Sequence, residues 1–167
     1  MTNPDPVRDQ TLGVLGGGHA FMSFDEAVGD FPAAHFNTKP TNVAYSFWHI
    51  LEHMRRTARD ILDYIQDPGY RAGTWPGDYR PRPDETADDA AWNATLHGIR
   101  EDMAVLRALV ADPANDLYTP VRNAGGHDDH TLLREALLVV EHNAYHIGEF
   151  AVLRQVVDAW PADRDGT

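Results

Sequence analysis

The chain contains no cysteine, which removes disulfides, thiolate metal sites and a cysteine nucleophile at once. Any thiol chemistry has to arrive with a substrate. Basic residues are scarce: 14 against 26 acidic ones give a formal charge of −12. Such a surface repels phosphate backbones and anionic lipid, so general nucleic-acid binding and membrane-surface binding are both disfavoured. Long apolar runs are missing too, with no stretch near the roughly 18 residues of a membrane span. The N-terminus, Met1-Thr2-Asn3-Pro4-Asp5-Pro6, lacks a basic region followed by an apolar run, so no secretion signal is read there and a cytoplasmic protein is expected. What remains, 43% hydrophobic and 24% charged residues in 167, suits one domain over 1–167 with a core of its own.

Helical periodicity dominates. A first helix, over about 7–35, is broken at Gly16-Gly17-Gly18 and restarts at Ser23-Phe24-Asp25-Glu26, where Ser23 and Glu26 have the spacing of a capping box. A second is expected over 43–66, where Phe47, Ile50, Leu51, Met54, Ile61, Leu62 and Ile65 recur at helical intervals until Asp67-Pro68-Gly69. A loop follows over 70–83, and its tryptophan and two tyrosines suggest that it packs down. The third helix, 84–111, carries Trp92, Leu96, Ile99, Met103, Leu106 and Val110 in the alternating four–three spacing of a bundle seam. Asp84, Glu85, Asp88 and Asp89 crowd its start, where the helix dipole favours them. The fourth, 131–159, carries Leu133, Leu137, Val140, Ile147 and Ala151. No strand pattern competes, so the fold class is all-α, a four-helix bundle with its first helix interrupted.

The residues that carry chemistry are histidines. His142 and His146 stand four apart in the fourth helix, which stacks them on one face with β-carbons about 6 Å apart. Two such imidazoles can chelate one ion. A third, from the His49–His53 stretch of the second helix, completes a three-nitrogen site with an open position, as catalytic metal centres have. Other metal patterns fail. HExxH is absent because Asn143 follows His142. A di-iron bundle needs glutamate three residues before each ligand histidine, and Ile50, Val139 and Asn143 stand there. The donor set suits zinc, nickel or ferrous iron. The three consecutive glycines open no phosphate loop, since no GxxxxGK[ST] pattern follows.

Three stretches carry a likeness to a known family: Gly17 to Ala27, Ser46-Phe47-Trp48-His49-Ile50-Leu51-Glu52-His53-Met54-Arg55, and Thr131 to Ala136 running on to Glu141-His142-Asn143-Ala144-Tyr145-His146-Ile147-Gly148-Glu149. The chain resembles the DinB-like (YfiT-like) metal-dependent four-helix proteins of bacteria. The resemblance implies an up-down-down-up bundle with His53, His142 and His146 as metal ligands, His53 being preferred over His49 through the Leu51-Glu52-His53 step. His49, one turn earlier, is then a candidate neighbour of the site, as a proton shuttle. Glu149 stands where relatives commonly have glutamine, and either orients a ligand or faces solvent. His19, His35, His97, His127 and His130 fall outside the triad, with His127 and His130 placed to line its mouth.

The resemblance further implies one divalent ion, zinc or nickel with iron as an alternative. It implies a small-molecule substrate and a metal-dependent transferase that activates a low-molecular-weight thiol, with hydrolysis as a variant of the same chemistry. No catalytic side chain can be named from the sequence. A homodimer is expected. The competing reading is a non-catalytic, stress-associated bundle whose metal is structural or vestigial and which acts through dimerisation or partner binding; a fourth protein ligand closing the site would favour it.

Overall fold

A computed structural model describes residues 5–121 and 129–162. These residues form five helices: α1 (Pro6–Leu15), α2 (Phe24–Val28), α3 (Phe47–Gln66), α4 (Asp89–Ala111) and α5 (Leu132–Val156), with a 3-10 turn at Ala33–His35. Among the described residues there is no strand, only an isolated bridge between Pro120 and Thr131. No described helix is long and apolar enough to cross a membrane.

Side-chain caps, more than apolar periodicity, set where the helices begin. Asp5 caps α1, with Pro6 in the first turn where no N–H is needed. Gly17 and Gly18, at φ 70° and 77°, then turn the chain away. Ser23 and Glu26 form the expected capping box at α2. The second helix starts at residue 47 rather than 43, because Asn42 takes a left-handed φ of 66° and Ser46 is the cap. The third starts at 89 rather than 84: Asp88 caps it, and Glu85 instead accepts from the Arg82 backbone N–H. Of the four expected acidic residues, only Asp89 lies in its first turn. The fourth ends at Val156, three residues before the expected 159, and Asp158 turns with φ 54°.

Helix α3 packs most extensively on α4 and α5, while α1 lies on α4 and α5 and α2 on α5. The core falls into two clusters. One is aromatic, with Phe31, Phe36, Phe47, Trp48, Trp92 and Phe150 buried together and Phe36 stacked on Trp92 at 3.9 Å between ring centres. The other is aliphatic, built on Leu62, Leu106, Val110, Leu117, Ala136 and Val139. Half-buried Met103 packs against both. The seam of α4 is buried as its spacing predicts, Met103 apart. Of the apolar residues expected on α5, Ile147 is buried, Leu133, Val140 and Ala151 are half-buried, and Leu137 is exposed. The buried row is Leu132, Ala136, Val139, Ile147, Phe150 and Arg154. Helix α5 is apolar on more than one face, so periodicity alone cannot fix which face turns inward.

A buried polar network ties α3 to α4. Glu52 accepts from Arg55, Arg56 and the Thr95 hydroxyl, and Thr95 accepts from the Trp48 indole. Burial alone would raise the Glu52 pKa, but the two guanidiniums hold it below the usual carboxylate value. This fixes the face of α3 that carries His49, His53 and Arg56.

Candidate metal centre

His53, on α3, meets His142 and His146, on α5. One ring nitrogen from each lies within 4.8 Å of the other two. Ring centres are 4.9, 4.9 and 4.6 Å apart, with interplanar angles between 68° and 86°. The rings therefore converge edge-on around a common point instead of stacking.

Hydrogen bonds at the outer nitrogens decide what the inner ones offer. His53 Nδ1 is 2.8 Å from the Tyr79 carbonyl oxygen, so Nδ1–H donates and Nε2 keeps its lone pair. His146 Nδ1 likewise donates to Glu149 Oε2 at 2.8 Å, leaving its Nε2 free. His142 Nε2 stands 3.1 Å from His53 Nε2. A hydrogen bond explains two nitrogens at that distance, but it does not explain a third imidazole directed at the same point. A cation explains all three, because nitrogens 2.0–2.1 Å from a tetrahedral ion lie about 3.3 Å apart. The donor set fits a divalent ion, and the outer partners are the carboxylate and carbonyl that orient metal-binding imidazoles.

Electrostatics disfavour a charge on His142 and on His53. Burial, then the neighbouring His146 and His53, pushes the His142 pKa down to about 3. Burial also lowers that of His53, against the Tyr79 carbonyl, which raises it. Arg80 adds to the depression at both. Glu149 is held below the usual carboxylate range; burial opposes this, and its bonds with His146 and Tyr45 prevail. Tyr45 donates to Glu149 Oε1, and that bond together with burial raises its own pKa to about 12.

A pH dependence follows. Unfolded histidine takes up protons near 6.5, whereas folded His142 resists them until about 3. Between those values the unfolded chain binds more protons, so His142, and His53 in the same direction, contribute stability above pH 6.5 that is lost progressively as the pH falls towards 3. Urea midpoints of metal-stripped protein are expected to fall across that window and to be flat above it. A midpoint unchanged from pH 7 to pH 4 would contradict neutral burial of the rings.

His49 is outside the converging group, with both ring nitrogens engaged: Nδ1 lies 2.5 Å from the Ser46 hydroxyl and Nε2 lies 2.9 Å from the Arg82 carbonyl oxygen. Its ring caps α3 and holds the 70–83 loop, although it also borders the cavity beside the triad. Glu149 faces His146 rather than bulk solvent. His130 does not line the mouth of the triad. It pairs with Glu135 and borders a separate cavity with Tyr64 and Tyr70. His97 is a surface partner of Glu101, and His127 lies outside the described residues.

Three contributors were not anticipated: Tyr45, the Tyr79 carbonyl and Arg80. All sit in loops, and two belong to the 70–83 segment. That loop does pack down, through Tyr70, which is buried and donates to Asp60, but Trp75 is 63% exposed. A cavity of about 380 Å³ opens beside the triad, lined by Tyr45, Ile50, His53, Arg80, Tyr145, His146 and Glu149 among others. Among the described residues no fourth side chain joins the three histidines as a metal donor.

Compared with known proteins, residues 19–150 match the sequence model of the DinB superfamily. No curated protein and no solved structure matches the chain.

Proposed function

The chain belongs to the DinB superfamily, and from that premise we propose that it is a metal-dependent transferase acting with a low-molecular-weight thiol. The ion is divalent, zinc or nickel by donor preference, and His53, His142 and His146 hold it. The observation that carries the reading is a three-imidazole group beside a cavity. A structural site is normally closed by a fourth protein ligand. The two residues best placed to close this one are already engaged, Glu149 by Tyr45 and His146 and His49 by Ser46 and Arg82.

A divalent ion in this site supplies Lewis acidity that favours the deprotonated form of a thiol or water brought to it. The chain's own residues do the rest. The Tyr79 carbonyl and Glu149 fix the tautomers of His53 and His146, so that both Nε2 atoms point inward. Tyr45 holds Glu149 in place. Rings, prolines and Ile50 around the cavity limit water. The thiol comes from solution, in keeping with a chain that has no cysteine of its own. The reading includes a single domain with α1 and α2 as the interrupted first member of an up-down-down-up four-helix bundle, a cytoplasmic setting, and a homodimer. For the dimer, the exposed residues Leu137, Tyr145, Val152 and Val156 on α5 offer surface.

The test is turnover of an electrophile with a panel of small thiols, comparing metal-loaded with chelator-stripped protein. The expected result is a rate that needs both the metal and one class of thiol. No metal-dependent rate with any thiol would remove the transferase assignment.

A further inference from the structure

The cavity beside the triad is lined by one arginine, the exposed Arg80, whose guanidinium pairs with no carboxylate among the described residues. Among the described arginines, all but Arg71 and Arg80 have guanidiniums that hold a carboxylate or carbonyl oxygen: Arg8 on Val110, Arg55 and Arg56 on Glu52, Arg59 on Asp102, Arg82 on Glu85, Arg100 on Asp25, Arg107 on Leu12, Arg134 on Glu135 and Arg154 on Asp30. Arg71 borders the separate cavity near Tyr70. Arg80 borders the one that contains His53 and His146. With 26 acidic residues against 14 basic, a lone guanidinium is not explained by a shortage of carboxylates.

Arg80 is also held in position. The face of α3 donates to three carbonyls of its loop: His53 to Tyr79 at 2.8 Å, Arg56 to Arg80 at 3.0 Å, and His49 to Arg82 at 2.9 Å. The backbone on either side of Arg80 is thereby clamped to the helix that carries the triad. Its guanidinium lies over the Trp75 ring, 4.9 Å from the centre. A stacked guanidinium keeps its edge N–H groups available in a planar fork, and that fork matches a carboxylate. Glu149, the carboxylate lining this cavity, is turned to Tyr45 and His146 and makes no ion pair with Arg80. The unmet group in the cavity is therefore a donor. The surrounding wall of Tyr45, Ile50, Pro81, Pro83 and Tyr145 suits an organic body rather than a bare ion.

We propose that Arg80 is a specificity-determining residue that binds the carboxylate of a small organic substrate while the reacting end of that substrate faces the histidine triad. This deepens the transferase reading and rests on it for the reacting end. Recognition of the carboxylate end can be measured without any turnover.

The probes are phenylacetate and its neutral isostere phenylacetamide, titrated into wild-type, Arg80→Met and Arg80→Lys protein by NMR, with and without added zinc. Wild type is expected to bind phenylacetate at least about tenfold tighter than the amide, the worth of one charge-assisted pair at a partly open site. The Arg80 Nε–H signal should move. Arg80→Met should bring the two probes to within about twofold, and Arg80→Lys should retain part of the preference, since it keeps the charge but not the fork. Both variants should bind as much metal as wild type. Equal binding of the two probes by wild type, binding of neither, or a preference that survives Arg80→Met would each overturn the proposal. The metal-free arm separates the two readings: absence of metal uptake would sink the transferase while leaving the Arg80 preference to stand or fall on its own.

Discussion

Replacing His142 or His53 with alanine is expected to leave the protein with almost none of the about one equivalent of divalent metal that a three-nitrogen site retains. The effect should be large because two imidazoles remaining from a convergent set of three lose both a bond and the geometry that excludes competing water. It should also be visible as stability. A ligand present at about 1,000 times its Kd stabilises the folded state by about 4 kcal/mol. For a chain of this size each kcal/mol moves Tm by about 2–4 °C, so wild type should gain about 8–16 °C on adding zinc to stripped protein. Neither variant should gain more than a degree or two. Glu149→Ala should fall between, with affinity lowered about 10–100-fold, because the His146 ring then loses the carboxylate that sets its tautomer and direction. Metal analysis of the purified proteins and thermal scans with and without zinc measure both quantities. Retention of the metal by both histidine variants would remove the triad from the site.

The triad was legible in the sequence for a physical reason: residues four apart on a helix must share a face, so His142 and His146 announce themselves once α5 is recognised. His53 was not fixed by spacing, because His49 lies on the same face of the same helix. The family resemblance preferred His53, and the structure shows what separates the two rings. His49 is consumed by Ser46 and Arg82, whereas His53 gives only its outer nitrogen to a carbonyl and keeps the inner one. Glu149 was left open between orienting a ligand and facing solvent, since solvent and His146 lie on neighbouring sides of the same turn, and its carboxylate is found on His146. Arg80, Tyr45 and the Tyr79 carbonyl belong to loops, and loops carry no period from which a neighbour can be read. The second and third helices were both expected to start too early. Polar caps at Ser46 and Asp88 end the non-helical backbone later than composition alone suggests. Which apolar residues of α5 turn inward was not legible, because the helix is apolar on more than one face: Ile147 is buried and Leu137 exposed.

Arg154 gives the second large effect, and it too runs against the pattern. A charged residue eight positions past His146 reads as a surface group, yet its side chain has no exposed surface. Its guanidinium donates to the Ala27 carbonyl at 2.8 Å, the Ala159 carbonyl at 3.0 Å and Asp30 Oδ1 at 2.6 Å. It also stacks on Trp160 at 3.7 Å and lies over Phe31 at 5.3 Å. One side chain thus joins α5, the end of α2 and the segment after α5. Arg154→Ala removes the cation, strands buried carbonyls and opens a cavity together, so it should cost about 3–5 kcal/mol. Arg154→Met fills most of the volume but leaves the carbonyls unmet, each worth about 1–3 kcal/mol, and should recover only part of the loss. Urea denaturation followed by tryptophan fluorescence measures the order wild type, Met, Ala. The site should be spared: residue 154 lies about 12 Å along α5 from His146 at 1.5 Å per residue, so the folded variant should still bind one metal ion. A loss under 1 kcal/mol in Arg154→Ala would mean that the charge is solvated in solution. Loss of metal from the folded variant would mean that the far end of α5 sets the position of its histidines.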